Sequence, residues 1–251
     1  MWKDILYFEI QQGFKKVSVW VYFIIFFALA FLIANILGGA FTGASIVIGN
    51  QGTNVNSPLL IAELQTVFTI FGVLICGAIF GNAGYRDYET NMHPLIFTTP
   101  IKPASYYSGR FLGSFFLTIF IQLGITLGLA IGFLMPYLDQ DAIGIFRLDA
   151  YLHPIFVMVI PNVFLVGAIL FSLAILSRRM LPTYLASVIL LFGYLTSSNL
   201  TSDIETRWIA SLLDPFGGEA ISDLVKYWTP SERDTLLIPL GKWLVFNRVI
   251  W

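Results

Sequence analysis

Arg86, Asp87, Tyr88 and Glu89 open a segment that turns apolar at Leu95 and Ile96. This order offers the chemistry of docking rather than of bond-making: charges steer and pair with a partner, and apolar anchors fill its groove. Pro100 and Pro103 stop any helix ahead of Ala104. An ordinary charged connection between two helices is the plainer reading of the same residues. Residue types for catalysis are scarce. His93 and His153 are the only histidines, each precedes a proline, and neither has a second ligand at metal spacing. Neither HExxH nor a GxxxxGKS or GxxxxGKT loop occurs, so the sequence offers no zinc-peptidase motif and no ATP site of its own. Cys76, the single cysteine, lies in an apolar run and reads as a small buried or lipid-facing residue. The sequence thus predicts no enzyme and no metal or cofactor held by this chain.

The elements that position these residues are apolar. Charged residues make up 12% and hydrophobic residues 57% of 251, against about 25% charge in a typical soluble domain. Phe111–Leu138 and Ala150–Ser177 are each 28 residues without a charge. A hydrocarbon core about 30 Å thick needs roughly 20 apolar helical residues, so the chain reads as an all-α membrane protein, a polytopic helical bundle. Five complete spans are expected, at about 17–37, 59–81, 111–137, 154–176 and 181–198. A sixth begins near Leu236 and is cut short at Trp251, which predicts that Trp251 is not the biological end. No cleavable signal peptide is expected, because charges fill residues 1–16 and the first apolar run is too long for one. The net charge of −1 and the lack of a basic tract predict no nucleic-acid partner.

Lys and Arg favour the cytoplasmic side. Lys3, Lys15 and Lys16, then Arg86, Lys102 and Arg110, then Arg178 and Arg179 fall on one side if the spans alternate. The N-terminus and loop 82–110 are therefore expected in the cytoplasm, with the segment 199–236 outside. Residues 1–16 mix Ile5, Leu6, Phe8 and Ile10 with Lys3, Asp4, Glu9, Gln11 and Gln12, the pattern of an amphipathic helix lying in the interface. The outer loop Gly38–Ser57 reads as a flexible turn without a site. In the later outer segment, residues 203–208 read as an amphipathic helix and Asp214-Pro215-Phe216-Gly217-Gly218 as a turn. Trp208, Trp228 and Trp243 suit the headgroup level.

Polar groups at membrane depth mark packing or a pathway. The neutral candidates are Asn35, Gln65, Gln122, Asn162 and Tyr194, and Asn162 follows Pro161, which removes a backbone hydrogen bond and can kink its helix. Gly124, Gly128 and Gly132 share one helix face and admit close helix contact, within a protomer or across a dimer. Nothing resembles an ion filter or a relay of acids, which disfavours a channel or secondary transporter.

These pieces together resemble the permease subunit of a type-2 ABC exporter. The resemblance rests on the N-terminal segment, on Arg86-Asp87-Tyr88-Glu89, Leu95-Ile96, Thr98-Thr99-Pro100 and Gly109-Arg110, and on the six-span layout. More narrowly, the chain is similar to the membrane half of bacterial permeases fused to a zinc aminopeptidase-like domain. The matching residues are Tyr7-Phe8-Glu9-Ile10, Asp214-Pro215-Phe216-Gly217, Tyr227-Trp228-Thr229-Pro230-Ser231-Glu232-Arg233 and Asn247-Arg248-Val249-Ile250-Trp251. The resemblance implies an N-terminal elbow helix and a cytoplasmic coupling helix in 82–103. It also implies a homodimer or heterodimer of permeases in a bacterial inner membrane, and an ABC ATPase partner that carries ATP and magnesium. Arg86, Asp87, Tyr88, Glu89, Leu95 and Ile96 would meet that ATPase. The chain departs from the pattern in its incomplete sixth span and in lacking a peptidase domain. Two rival readings stand beside this one: a non-transporting anchor or scaffold with 199–236 as its working surface, and a subunit of a larger membrane complex.

Overall fold

The structure, a computed structural model, describes residues 2–41, 53–200 and 214–250. The amphipathic helix expected over 203–208, Trp208 and the chain end at Trp251 lie outside the described residues. Among those described there is no strand. The helices are α1 (Trp2–Lys15), α2 (Val17–Leu37), α3 (Pro58–Phe71), α4 (Val73–Glu89), α5 (His93–Phe97) and α6 (Pro103–Phe133). They continue as α7 (Leu148–Pro154), a π-helical turn (Ile155–Val159), α8 (Ile160–Ser177), α9 (Leu181–Leu200), α10 (Gly218–Val225), α11 (Pro230–Thr235) and α12 (Lys242–Ile250).

Three of these are long and apolar enough to cross a membrane: α2, α6, and the continuous run Leu148–Ser177. This is the signature of an integral membrane protein. At 1.5 Å per residue the 21 residues of α2 span about 32 Å, close to one hydrocarbon core. The 31 residues of α6 span about 46 Å and must project beyond it. The projecting end follows from Pro103, which opens α6 at its first position, where a missing N–H costs nothing. The helix expected from Phe111 thus begins two turns earlier, and Tyr106 and Arg110 ride on it. The expected loop 82–110 is in fact mostly helix, with only residues 90–92 and 98–102 outside helices.

Two irregularities in the apolar helices have local causes. The span expected over 59–81 is a bent pair, α3 and α4, meeting at 47°. The break is Gly72, whose ψ of −15° leaves the α-helical value and whose lack of a side chain makes it a weak link. In the fourth run, Pro161 cannot donate a hydrogen bond, and its ring would press on the carbonyl four residues back. The turn just before it widens, and the Ile160 N–H reaches Ile155 O, a five-residue step.

The chain divides into two compact units, with the divisions falling inside or beside helices. The first comprises 1–22, 71–121 and 163–193. Its apolar packing centres on Phe111, whose ring lies 5.4, 5.5 and 5.6 Å from those of Phe80, Phe164 and Phe171. The second comprises 23–70, 122–162 and 194–251. Its core gathers Leu59, Ala62, Met158, Ala220, Ile221, Val225, Ile238 and Leu244, with Trp228 packed against it. The end of the loop expected to be a free turn is tied down there: the Asn54 side chain and N–H both donate to Asp234, at 3.1 and 2.9 Å, and Asn56 exchanges two hydrogen bonds with Gly144. α11 begins with a capping box, Thr229 and Glu232 satisfying each other's backbone N–H groups.

Gly124, Gly128 and Gly132 lie against α2, facing the Phe23 carbonyl, the Phe27 carbonyl and Ala34 respectively. A Cβ on Gly128 would come within 3.0 Å of backbone, so α6 and α2 approach as closely as bare glycine allows. Gly193 in α9 faces open space. Gly128→Ala is expected to destabilise the protein by about 1–3 kcal/mol through overpacking. Gly193→Ala should be neutral or gain up to about 1 kcal/mol of helix propensity. Thermal unfolding of both variants in detergent micelles checks the contrast.

Candidate functional site

The candidate site lies within the first unit, where α1, α4 and α6 converge. On α1, Ile5, Glu9 and Gly13 are spaced by four and share a face. On α6, Gly109, Gly113 and Leu117 do the same, and they meet in register: Gly109 against Ile5, Gly113 against Glu9, Leu117 against Gly13. The small residues let the helices close until the Glu9 carboxylate reaches past α6. Its Oε1 lies 2.5 Å from Arg86 Nη2 and 3.2 Å from Arg110 Nε. Arg110 also pairs through Nη1 with Asp87 Oδ2, and the Tyr106 hydroxyl donates to the same oxygen at 2.7 Å. The Arg110 side chain is 1% exposed, Glu9 8%, Asp87 15% and Arg86 27%. A guanidinium this deeply buried is tolerable only because two carboxylates compensate it.

Arg86 shares its face of α4 with Asn82, one turn earlier, and Asn82 Oδ1 accepts a 3.1 Å hydrogen bond from Lys16 Nζ. Lys16 is an exposed residue, yet its ammonium is crowded enough to hold its pKa below the usual lysine value. Loss of solvation leads, the Arg86 charge follows, and Glu9 opposes both.

α4 ends in a Schellman motif. Asn91 takes the left-handed conformation at φ 53°, Met92 N–H bonds Asp87 O, and Asn91 N–H bonds Tyr88 O. The short α5 follows at once, its end closed by the hydroxyls of Thr98 and Thr99 on the carbonyls of Leu95 and Ile96. Tyr88 turns sideways, its ring 4.9 Å from that of His93 and 5.3 Å from the Arg178 guanidinium. Glu89, Met92 and Leu95 are exposed, Leu95 at 65%, and Ile96 is half-buried. Of the six residues singled out in 86–96, Arg86 and Asp87 therefore face into the ion network, Tyr88 packs beside it, and Glu89 and Leu95 stand outward.

Glu9 and Arg110 are the partners that sequence reasoning did not bring into the site. The available signal was the matching four-residue spacing of 5/9/13 and 109/113/117, which predicts two helices in contact with a carboxylate between them.

A second polar cluster lies within the second unit. Asn162 is fully buried, donates to Phe216 O at 3.1 Å and accepts from Arg248 Nη1 at 2.6 Å. Arg248 Nη2 donates to Phe216 O at 2.7 Å and lies 3.6 Å from Met158 Sδ, beside the π turn. Gly217, at φ 77°, takes a conformation that L side chains rarely adopt, and a Cβ there would displace the Arg248 guanidinium. Asp214 shapes the turn by accepting the N–H groups of Phe216 and Glu219. Burial raises its carboxyl pKa, while those N–H bonds and the Arg248 charge pull it down. Asn162 therefore spends both ends of its amide on structure.

Among the described residues no group of three His, Cys, Asp or Glu could hold a metal ion. No family model, curated protein or solved structure matches the chain.

Glu9→Gln removes the negative charge that Arg110 and Arg86 share and should destabilise the protein by about 3–5 kcal/mol, the range for breaking a buried pair on one side. Lys15→Gln, on an exposed neighbour, should change stability by less than about 0.5 kcal/mol. Thermal unfolding in micelles separates the two.

Proposed function

We propose that the chain is the membrane permease subunit of an ATP-driven ABC exporter, coupled to its ATPase through residues 82–103. The observation that carries this reading is the pairing of an outward-facing α5 with an inward-facing root. Glu89, Met92 and Leu95 offer one charge and two apolar anchors to a groove. A few residues away, Asp87 and Arg86 are clamped to Glu9 and Arg110. A load applied to α5 therefore passes through the Schellman turn to α4, and through the ion network to α1 and α6. A helix–turn–helix rooted in a buried ion cluster suits a lever. An ordinary inter-helix connection has no need of one.

In this reading α2, the α3–α4 pair, α6, the α7–α8 run and α9 are the five spans, and α12 belongs to a sixth. α1 is the interfacial elbow, and the N-terminus faces the cytoplasm of a bacterial inner membrane. Two permeases, identical or different, work with two ATPase subunits that hold ATP and magnesium. ATPase closure pushes α5, and the spans tilt to release an apolar or amphipathic substrate. Tyr88 would support the contact from the side, as the partner of His93 and Arg178, and Ile96 from beneath.

Glu89→Lys combined with Leu95→Asp should lower recovery of the ATPase at least tenfold in a mild-detergent pull-down from native membranes. Its melting temperature should stay that of the wild type, because both residues are exposed. Full recovery of the ATPase with the double variant, or no ATPase with the wild type, would overturn the assignment.

A further inference from the structure

Within the first unit a cavity of about 290 Å³ opens beside the ion network. Its rim carries the exposed residues Lys16, Ser18 and Tyr184, and its floor is formed by the buried Glu9, Val19 and Leu117. Arg86 and Asn82 line its wall. The charges do not balance. Lys16, Arg86 and Arg110 are three cations against the two carboxylates of Glu9 and Asp87. Glu9 Oε1 is shared between two arginines and Asp87 faces Arg110, so both anions are engaged. The positive charge left over lies at Lys16, whose one hydrogen-bond acceptor in the cavity wall is the neutral Asn82 amide. Ser18 and Val19 belong to the first turn of α2, so the partial positive charge of that helix end adds to the same field.

We propose that this cavity binds a phosphate group carrying net negative charge, with Lys16 and Arg86 as its cations and the Asn82 amide and Ser18 hydroxyl as hydrogen-bond donors. An ammonium and a guanidinium converging on one concave site is the usual recognition of phosphate oxygens. The volume lies at the small end of the ligand-pocket range, so it admits a headgroup or a free anion rather than a whole lipid. Val19, Leu117 and Ile79 give the cavity an apolar part, which suits the glycerol end of an anionic phospholipid. Loss of solvation, then the charge of Arg86, hold the Lys16 pKa below the usual lysine value, as expected for a cation crowded into this cavity. This site rests on the geometry of the first unit alone and stands independently of the transport reading.

The test uses the full chain in nonionic micelles, with thermal unfolding followed during titration. Short-chain phosphatidylglycerol should raise the melting temperature saturably, and short-chain phosphatidylcholine should raise it much less. Sodium phosphate, run against sodium chloride at equal ionic strength, tells the two sources apart. Equal protection by phosphate identifies a free-anion site, and protection by the lipid alone identifies a headgroup site. Lys16→Gln should weaken binding about tenfold, the effect of losing one charged hydrogen bond. Ser18→Glu should abolish binding, while its carboxylate in the first turn of α2 favours that helix and keeps the variant folded. Lys15→Gln, outside the cavity, should bind as the wild type does and so controls for general attraction of basic residues to anionic lipid. Equal shifts with both lipids, or wild-type affinity in Lys16→Gln and Ser18→Glu, would overturn the proposal.

Discussion

The burial of Arg110 is the constraint on which the first unit depends. A guanidinium at 1% exposure has lost its water, so the fold must bring anions to it. Asp87 comes from α4, one helix away, and Glu9 comes from α1, across the chain. Their arrival fixes the distance between α1 and α6, which in turn requires glycine at 109 and 113. Arg86 then shares Glu9, and Asn82, one turn back, holds Lys16. One buried cation thus sets the register of three helices and the charge of the cavity beside them.

The second unit meets the same problem with different chemistry. Arg248 is surrounded by neutral acceptors, Asn162 Oδ1 and the Phe216 carbonyl, with the Asp214 charge acting nearby. The arrangement needs a tight turn at Gly217, and Met158 beside the π turn fills the remaining space. Carbonyl dipoles solvate the charge without adding one. This arrangement gives a lock between α8, the 214–217 turn and α12, whereas the carboxylates of the first unit leave a charged surface near an opening. The first cluster is therefore the better candidate for work on a ligand or a partner, and the second for holding the chain together.

Much of the helical class was legible in sequence. The runs that became α2, α6 and α7–α8 exclude charge for longer than a soluble core requires, and that pattern does not depend on knowing what packs where. The bend at Gly72 was less visible, because one glycine in an apolar run is tolerated in many straight helices. The early start of α6 was hidden by Pro100 and Pro103: a proline stops the helix before it but also opens the helix after it, and only the fold decides which. The site was half legible. Residues 86–89 announced themselves by charge in an apolar chain, but a sequence cannot tell a charge that faces a partner protein from one paired with a residue 77 positions away. The four-residue rhythm shared by Ile5, Glu9, Gly13 and Gly109, Gly113, Leu117 is the physical link, and it becomes meaningful only once two helices are known to touch.

Held by the Glu9–Arg110–Asp87 network, α1, the end of α4 and the start of α6 behave as one body. Hydrogen exchange on the full chain in micelles, comparing wild type with Glu9→Gln, tests it most directly. Amide protection should fall together in residues 2–15, 84–89 and 106–113, to a similar extent in all three. Loss confined to α1, with α4 and α6 protected as before, would contradict it.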